Sequence, residues 1–331
     1  MSRAIQLNPP YRLVVVILNY RTPNLVIDCL SSLQTEIEVG HDVVVVVDNA
    51  SGDNSVPHIE QAINENNWSS WVKLLPSPIN GGFSAGNNLG IKALTADAYL
   101  LLNSDTIVRK GAIKSLLDAL ETYPEAGLIS PRLEWLDGTP QISCFRYRSP
   151  VSELINSAAT GPITKLLNHY DVPIPVSDTP MEPEWTSFAC VLIRREVIEQ
   201  IGLMDEGYFM YFDDIDYCRR ARNAGWKILH LPQARVVHLR GGSGPVKAAV
   251  AARKRPPAYS YASRSRYFAK FYGLTGLWMA NLLWYAGWSI SLMRQLVGNR
   301  QLHTCEKEVY DIWTNWREPM KPPVLPGKEN Q

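Results

Sequence analysis

Two uninterrupted apolar runs near the start of the chain limit its possible folds more than any other sequence feature. Residues Leu13 to Leu18 are all apolar and mostly β-branched, and five consecutive valines run from Val43 to Val47. A strand that is apolar at every position is covered on both faces, which is typical of a parallel sheet between two layers of helices. The segment from Asn24 to Gln34 carries apolar residues at helical spacing and supplies the crossover. Runs at 72–75 and 99–102 continue the pattern, so the predicted fold class is α/β with a largely parallel sheet.

Polar residues cluster where three of these predicted strands end. They are Asn19, Tyr20 and Arg21 after the first strand, Asp48, Asn49, Ser51 and Asp53 after the second, and Asn103 and Asp105 after the fourth. Ligands of open parallel sheets bind outside the carboxyl ends of the strands, so this shared placement predicts a nucleotide-sized site. Ordinary strand-to-helix turns with Asp and Asn caps explain each loop separately, but not their common position.

Asn103 and Asp105 are candidate ligands for a divalent cation. Side chains at positions i and i+2 share one face of an extended segment, so both oxygens can reach a hard cation that carries a diphosphate. The alternative is an Asx-type turn that caps a helix predicted to start near Lys110.

The segment from Asn80 to Gly90 is rich in glycine and opens a predicted helix. Its glycines at 82, 86 and 90 are four residues apart, which does not match the spacing of a dinucleotide-binding loop. Glycine at every fourth position leaves a smooth stripe on a helix, which favours close packing against the sheet. Asn80 and Asn87 can then face the cleft, although a purely structural role for each remains open.

Three carboxylates, Asp213, Asp214 and Asp216, lie within four positions, behind an aromatic run and before three arginines. Adjacent carboxylates repel and apolar neighbours desolvate them, so at least one pKa should rise toward the range of a general base. The alternative interpretation is a helix N-terminus, where acidic residues favour the helix dipole and the arginines that follow form ion pairs.

The composition excludes several classes of protein. The 331 residues can bury a sizeable core, and 33 basic against 32 acidic residues give no reason to expect a nucleic-acid partner. The five cysteines include no C-x-x-C pair, so we expect a reduced cytosolic setting without a zinc site or disulfide framework. We also expect no secretory signal, because the N-terminus lacks a basic segment that leads into an apolar stretch.

The C-terminal region carries an uncharged, aromatic-rich stretch from Phe271 to Met293. Its length would allow it to span a bilayer, whereas its glycines, polar residues and tryptophans favour helices that lie on or dip into the membrane surface. A buried helical pair is the third possibility. From Glu306 onward the Pro- and charge-rich tail is predicted to fray. The glycine-rich segment from Gly241 to Pro245 is predicted to be a mobile loop that closes over a bound ligand.

In their order and spacing, the motifs resemble those of the family 2 glycosyltransferases, which have the GT-A fold, and within them the bacterial rhamnosyltransferase-like branch. The resemblance covers residues 11 to 272. The segments that carry it are Val16–Arg21, Val47–Ser51, Asn80–Gly90, Leu102–Thr106, Thr186–Arg195, the acidic group at Asp213, and His238 with the glycines after it.

The resemblance implies roles for the donor-side residues. Tyr20, next to Asn19, would line the nucleobase pocket, and Asp48 would accept a hydrogen bond from the base ring. Asp105 would hold the Mg²⁺ or Mn²⁺ that bridges the diphosphate of a nucleotide sugar. Asn103 stands where many relatives carry the first Asp of a D-x-D motif, which removes one charge from the site.

The resemblance also implies roles for residues of the second half. Asp214 would be the catalytic base of an inverting transfer, while Asp213 and Asp216 would orient it or form ion pairs. His238 would lie near the metal or phosphate, where imidazole suits Mn²⁺ better than Mg²⁺. A structural hydrogen-bonding role for this histidine is equally open. Arg266 would reach the diphosphate, and the alternative is a basic helix on the membrane surface.

The predicted organisation has three parts. Residues 1–130 form the nucleotide-sugar-binding half, 131–245 the acceptor-binding and catalytic-base half, and 246–331 a helical, membrane-associated extension. The expected function is inverting transfer of a sugar, with L-rhamnose from dTDP-rhamnose as the best candidate, to a saccharide or polyprenyl-linked acceptor. The expected location is the cytoplasmic face of the cell membrane. The alternatives are an inactive sugar-nucleotide-binding or scaffold protein and a nucleotidyltransferase, which would usually show a basic glycine-rich loop near the first strand.

Overall fold

The computed structural model describes residues 10–240, 249–298 and 304–323. Within these ranges the main sheet has eight strands in the order β3-β2-β1-β4-β9-β6-β10-β5. Its strands are β1 (Tyr11–Asn19), β2 (Asp42–Asp48), β3 (Val72–Pro76), β4 (Ala96–Asn103), β5 (Thr106–Val108), β6 (Ala126–Glu134), β9 (Cys190–Arg194) and β10 (Lys227–His238). The short strands β7 (Cys144–Phe145) and β8 (Trp185–Thr186) pair with each other in a second sheet.

The sheet is largely parallel, which confirms the predicted fold class. Strands β1 to β4 run parallel to one another, and β6 runs parallel to β10. The exceptions are β9, which is antiparallel to both β4 and β6, and β5, which is antiparallel to β10. All four strands predicted from apolar runs are present, and the predicted crossover is a helix between β1 and β2.

Helices cover both faces of the sheet. They are α1 (Pro23–Leu33), α2 (Ser55–Glu65), α3 (Gly82–Ala93), α4 (Ala112–Thr122), α5 (Pro150–Ala158), α6 (Gly161–Leu166), α7 (Arg195–Ile201), α8 (Asp213–Asn223), α9 (Ala258–Gly298) and α10 (Glu308–Asp311). The five valines of β2 divide between two cores because successive side chains of a strand point to opposite faces. Val44 and Val46 lie in one core, whereas Val43, Val45 and Val47 lie in the other.

The glycine stripe of α3 packs against β1, as the sequence predicts. A Cβ atom on Gly86 would lie 2.3 Å from a Leu18 methyl carbon, and one on Gly90 would lie 2.4 Å from a Val16 methyl carbon. Side chains at these positions would push the helix away from the sheet. The stripe therefore brings the N-terminal end of α3 close to the carboxyl edge of β1.

The C-terminal extension is built around α9, which is interrupted at Gly273, where φ is 70° and ψ is 178°. Before the break, the buried Arg264 guanidinium forms an ion pair of 2.9 Å with Glu153 of α5. After the break, Gly287 fits closely against α5, since an added Cβ would lie 2.4 Å from the Leu154 carbonyl oxygen. In the described residues, no helix is long and apolar enough to cross a membrane.

The predicted fraying from Glu306 onward is wrong for the part of the tail that is described, which ends at Pro323. Ile312 is buried against Tyr261 and Trp284, and the Ser265 hydroxyl donates to the Thr314 carbonyl oxygen at 2.6 Å. Apolar side chains in this segment hold it against α9. The loop predicted at 241–245 lies outside the described residues.

Candidate active site

A cavity of about 410 Å³ opens at the carboxyl ends of β1, β2 and β4, where the sequence places its polar residues. Among the predicted site residues, Tyr20, Asn80, Asn103, Asp105, Asp214 and His238 line this cavity. The remaining four, Asn19, Asp48, Asn87 and Arg266, do not line it. The tertiary structure thus brings together residues that are up to 218 positions apart, from Tyr20 to His238.

Asn19 and Asp48 lie buried at the edge of the cavity and connect the ends of β1 and β2. The Asn19 side-chain amide donates to Asp48 Oδ1 at 2.7 Å, and the Ser51 hydroxyl donates to the same oxygen at 2.6 Å. The Ser51 backbone N–H donates to Asp48 Oδ2 at 3.1 Å. Both carboxylate oxygens of Asp48 are therefore engaged within the protein, so it fixes the loop that carries Asn49.

Asn49 and Asn80 hold the glycine-rich loop against the end of β2. The Asn49 side-chain amide donates to Asn80 Oδ1 at 2.9 Å and to the Gly82 carbonyl oxygen at 3.1 Å. Gly82 adopts a φ of +85°, and an added Cβ would lie 2.1 Å from the Phe209 carbonyl oxygen. The loop consequently touches the segment that leads to the acidic group.

Asp105 lies on the turn between β4 and β5, and β5 pairs with the end of β10. This pairing places His238 beside it, with His238 Nε2 3.4 Å from Asp105 Oδ1. Both side chains are buried, and Asn103 lines the same cavity, so the predicted set of oxygen and nitrogen donors is gathered at one place. The N-terminus of α4 is capped instead by Glu36, which accepts from the Gly111 and Ile113 backbone N–H groups at 2.8 and 3.2 Å.

The acidic group forms the first turn of α8, which begins at Asp213. The two residues before it, Tyr211 and Phe212, both adopt left-handed backbone conformations, with φ of 68° and 63°. Such conformations are strained for aromatic residues and are found mainly where the surrounding structure requires them. They turn the chain so that Asp213 and Asp214 line the cavity.

The pKa values of Asp213 and Asp214 are both raised, but the surrounding charges act differently on the two carboxyl groups. Burial raises the pKa of Asp214 to about 6, although backbone N–H donors and the Arg148 guanidinium oppose this rise. Burial, together with the charge of Asp214, raises the pKa of Asp213 well above its usual range. At neutral pH Asp214 is thus largely ionised, and Asp213 holds a proton more readily than an ordinary aspartate does.

Asp216 is fully buried and forms ion pairs instead of facing the cavity. It lies 2.7 Å from Arg220 Nε, one turn later on α8, and 2.6 Å from Lys270 Nζ on α9. The helix-terminal interpretation therefore holds for Asp216, which belongs to an ion network, whereas its neighbours Asp213 and Asp214 line the cavity.

Asn87 and Arg266 have structural contacts away from the cavity. The Asn87 amide donates to the Phe83 carbonyl oxygen at 2.9 Å, within α3. The Arg266 guanidinium forms an ion pair of 2.9 Å with Asp205 and donates to the Met320 carbonyl oxygen. These contacts replace the roles predicted for both residues: Asn87 stabilises its own helix, and Arg266 fastens α9 to the loop before α8.

Several cavity residues were not selected from the sequence. They are mainly apolar or aromatic and include Phe83, Phe188, Phe209, Met210, Tyr211 and Tyr259. Phe188 lies inside Thr186–Arg195, one of the segments that carry the family resemblance, so the sequence did contain a signal that it belongs to the site. Tyr259 has no comparable signal, because it reaches the cavity from the first turn of α9 only through the tertiary fold.

The sequence from residue 9 to residue 256 matches the family model described as glycosyltransferase like family 2. The chain belongs to glycosyltransferase family 2. Over 283 residues it is 29% identical to the N-acetylglucosaminyl-diphospho-decaprenol L-rhamnosyltransferase of Mycobacterium tuberculosis strain CDC 1551 / Oshkosh, an alignment that covers 80% of this chain and 85% of the relative. It is 27% identical over 229 residues to the low-salt glycan biosynthesis hexosyltransferase Agl10 of Haloferax volcanii, covering 68% and 65% of the two chains.

Among solved structures, the fold is similar to that of the mannosyltransferase PcManGT from Pyrobaculum calidifontis in complex with GDP-Man and Mn²⁺. The TM-score is 0.53 at 14% identity, and the match covers 94% of this chain and 85% of that one. This similarity confirms the predicted GT-A fold. The named relatives confirm the resemblance to rhamnosyltransferases.

Proposed function

We propose that this glycosyltransferase transfers L-rhamnose from dTDP-rhamnose, with inversion, to a hydroxyl group of a lipid-linked saccharide. The observation that carries the proposal is that one cavity holds Asp214, with its pKa near 6, together with Asp105 and His238. This combination provides a general base and ligands for a cation that would balance the charge of a diphosphate leaving group.

Asp214 takes the proton from the acceptor hydroxyl. The acceptor oxygen then forms its bond to the anomeric carbon as the bond from that carbon to the diphosphate breaks, and the diphosphate leaves with both electrons. Attack from the face opposite the nucleotide inverts the anomeric configuration, and no covalent enzyme intermediate is needed. A pKa of about 6 keeps the base ionised at pH 7 while leaving it basic enough to accept the proton.

The donor set fits a divalent cation. Asp105 supplies a buried carboxylate, His238 an imidazole nitrogen 3.4 Å from it, and Asn103 an amide oxygen on the same wall. The described residues contain no group of three or more His, Cys, Asp or Glu side chains able to hold a metal ion, so the diphosphate and water would complete the coordination. A cation bound there would act as a Lewis acid that neutralises charge on the leaving diphosphate, and the imidazole favours Mn²⁺.

The two predicted halves of the enzyme domain contribute different parts of this site. Tyr20 and Asn80, from residues 1–130, would contact the nucleotide, whereas Asp214 and His238 come from residues 131–245, and all four line the same cavity. The apolar wall that includes Phe188 and Met210 suits a deoxysugar, which carries a methyl group where other hexoses carry a hydroxymethyl group. The name of the mycobacterial relative supports the same sugar.

The C-terminal extension would bring the enzyme to its lipid-linked acceptor at the inner face of the cell membrane. After Gly273, α9 leaves an apolar face exposed, which we call the α9 apolar face. It consists of Leu274, Trp278, Met279, Leu282, Met293 and Leu296, each between 43% and 82% exposed. No charged residue lies between Phe271 and Met293. An uncharged helix face with an exposed tryptophan suits the interfacial region of a bilayer.

The test is release of nucleoside diphosphate from a panel of dTDP-, UDP- and GDP-sugars, measured with and without Mn²⁺. Wild type, Asp214→Asn and Asp105→Ala are compared, and Asp118→Asn serves as the matched control because this carboxylate is exposed on α4. We expect slow hydrolysis by wild type and the control, fastest with dTDP-rhamnose, and loss of about 100-fold or more in both site variants.

Equal activity of Asp214→Asn and wild type would contradict the assignment of the base. If no donor is cleaved even when a lipid-linked saccharide extract is supplied, yet a donor raises the melting temperature, the protein binds sugar nucleotides without transferring them. Cleavage of a UDP- or GDP-sugar in preference to dTDP-rhamnose would replace the proposed donor.

A further inference from the structure

Three arginines lie around α8, the helix whose first turn carries the proposed base, and form what we call the arginine cluster: Arg148, Arg219 and Arg222. The Arg219 and Arg222 guanidinium carbons lie 5.0 and 5.8 Å from the ring centroid of Tyr147. The Arg148 guanidinium carbon lies 5.4 Å from the ring of Phe212, the residue that precedes α8. The three cations thus share one aromatic surface at α8.

The positive charge of the cluster is only weakly balanced. Glu153 lies 3.5 Å from Arg148, but the same carboxylate is already held by Arg264 at 2.9 Å. In the parts of the chain that the structure describes, no carboxylate oxygen lies within 4.0 Å of a guanidinium nitrogen of Arg219 or Arg222. Arg148 is 36% exposed, and Arg222 is also exposed. Half-exposed guanidinium groups without carboxylate partners attract anionic ligands.

The arginines outside the cluster provide a contrast on the same helices. Arg220 on α8 pairs with Asp216, and Arg266 on α9 pairs with Asp205. The guanidinium groups of Arg220 and Arg266 are therefore neutralised by carboxylates. The arginine cluster at α8, by contrast, keeps an excess of positive charge.

The arginine cluster connects the base to the α9 apolar face. At one end, the Arg148 guanidinium carbon lies 5.4 Å from the ring of Phe212, which stands two positions before Asp214. At the other end, the Arg219 guanidinium carbon lies 4.6 Å from the Phe271 ring and 4.7 Å from the Tyr272 ring. Phe271 and Tyr272 stand three and two positions before Leu274, the first residue of the α9 apolar face.

The backbone of Arg148 is held in place. Its carbonyl oxygen accepts hydrogen bonds from the Tyr267 and Tyr272 hydroxyl groups of α9, at 2.9 and 2.8 Å. The cation is therefore presented from a fixed position while its side chain remains partly exposed, which lowers the conformational cost of binding a ligand.

We propose that the arginine cluster binds the diphosphate group of a polyprenyl-diphosphate acceptor, with the lipid along the α9 apolar face and the saccharide directed toward Asp214. The proposal rests on the proposed function and adds to it the site of acceptor recognition. The planar fork of arginine matches phosphate oxygens, and three such groups suit the two to three negative charges of a diphosphate ester.

The test is isothermal titration of the full-length protein with farnesyl diphosphate as the probe. The donor site is first saturated with Mn²⁺ and the nucleoside diphosphate that the release assay identifies, so that the probe cannot bind there. We expect saturable binding by wild type, about tenfold weaker binding for each of Arg148→Gln and Arg222→Gln, and a smaller loss for Arg148→Lys. Farnesol, which lacks the diphosphate, should not compete.

Arg195→Gln is the matched control, since this half-buried arginine on α7 pairs with Asp97 at the opposite end of β4. It should bind the probe like wild type, and melting temperatures confirm that each variant is folded. Unchanged affinity in both cluster variants would overturn the proposal. Loss of binding to phosphatidylglycerol vesicles with unchanged affinity for farnesyl diphosphate would also overturn it, because the cluster would then recognise membrane headgroups.

The two proposals fail in distinguishable ways. Binding of farnesyl diphosphate does not require the base, so Asp214→Asn should retain it even though nucleotide release is lost. Nucleotide release in the absence of an acceptor reports on the donor site and the base, and does not require the acceptor site. A protein that cleaves a donor but does not bind the probe would support the proposed function and exclude this acceptor site.

Discussion

The two sides of the cavity are held in place by different kinds of interaction. On the donor side, hydrogen bonds between neutral groups join the loops after β2 and β3, as between Asn49 and Asn80 at 2.9 Å. On the base side, buried ion pairs join α8 to α9, as between Asp216 and Lys270 at 2.6 Å. The donor side should therefore be sensitive to backbone shape, and the base side to charge and pH.

The largest expected effect is loss of the ion network on the base side. Asp216→Asn leaves Lys270 and Arg220 without their shared buried carboxylate, so we expect a loss of about 3 kcal/mol in the free energy of unfolding. Denaturant titration at pH 7 measures it.

Asp213→Asn is the control on the same helix. Because its pKa is raised in the folded protein, the folded state binds this proton more tightly than the unfolded state, and stability falls as pH rises above the unfolded pKa. A neutral amide removes that cost at pH 7, so Asp213→Asn should stabilise the protein. Equal losses of unfolding free energy in Asp216→Asn and Asp213→Asn would contradict the expectation that only the first carboxylate stabilises the fold at pH 7.

A backbone substitution tests the donor side. Gly82→Ala places a methyl group 2.1 Å from the Phe209 carbonyl oxygen at a φ of +85°, so we expect a loss of about 2 to 3 kcal/mol and weaker donor binding. Gly111→Ala is the matched control, because its φ is +81° and no atom lies within 4 Å of the added Cβ. It should cost only about 1 kcal/mol, the penalty of the left-handed conformation. Similar losses in denaturant titrations of the two variants would contradict the close contact.

The pH dependence of the rate tests the base side directly. With the pKa of Asp214 at about 6 and the ionised form active, nucleotide release should be half-maximal near pH 6 and fall about tenfold for each pH unit below it. Arg148→Gln removes a positive charge that lowers this pKa, so the midpoint should move to higher pH. Arg195→Gln should leave the midpoint unchanged, and an unmoved midpoint in Arg148→Gln would argue against contact between the two charges.

The smallest expected effect concerns the α9 apolar face. Leu282→Gln should weaken binding to phosphatidylcholine vesicles about fivefold, because less apolar surface enters the bilayer interface. Val39→Gln is the control, since this valine is equally exposed, at 56% against 54%, but lies outside α9. Vesicle co-sedimentation measures both, and equal affinities would place the membrane contact elsewhere.

Much of the donor side was predictable because its signals are local. Apolar runs marked β1 to β4, and the polar residues directly after them lie at the carboxyl edge, as expected for parallel strands. The glycine spacing at 86 and 90 predicted the packing of α3 on β1. The sequence could not show that Asp48 lies buried with both oxygens engaged, because that depends on Asn19, 29 positions away.

The C-terminal region was predicted less well. An uncharged stretch indicated contact with a membrane or a protein core, but not which face of the helix would be covered. The structure buries Leu277 and Trp284 and leaves Met279 and Leu282 exposed. The tail after Glu306 looked unstructured by composition, yet Ile312 packs into this region because α9 offers an apolar surface to it.

The sequence by itself determined the α/β class, the edge of the sheet that carries the site, and six of the residues that line the cavity. These follow from periodicity and from the direction of parallel strands. Only the tertiary structure decided which charged groups of the C-terminal region are neutralised, because the ion pairs that α9 forms join distant positions. Arg266 meets Asp205, 61 residues away, and Arg264 meets Glu153, 111 residues away. Arg148, by contrast, remains beside Asp214 with only a shared carboxylate to balance it.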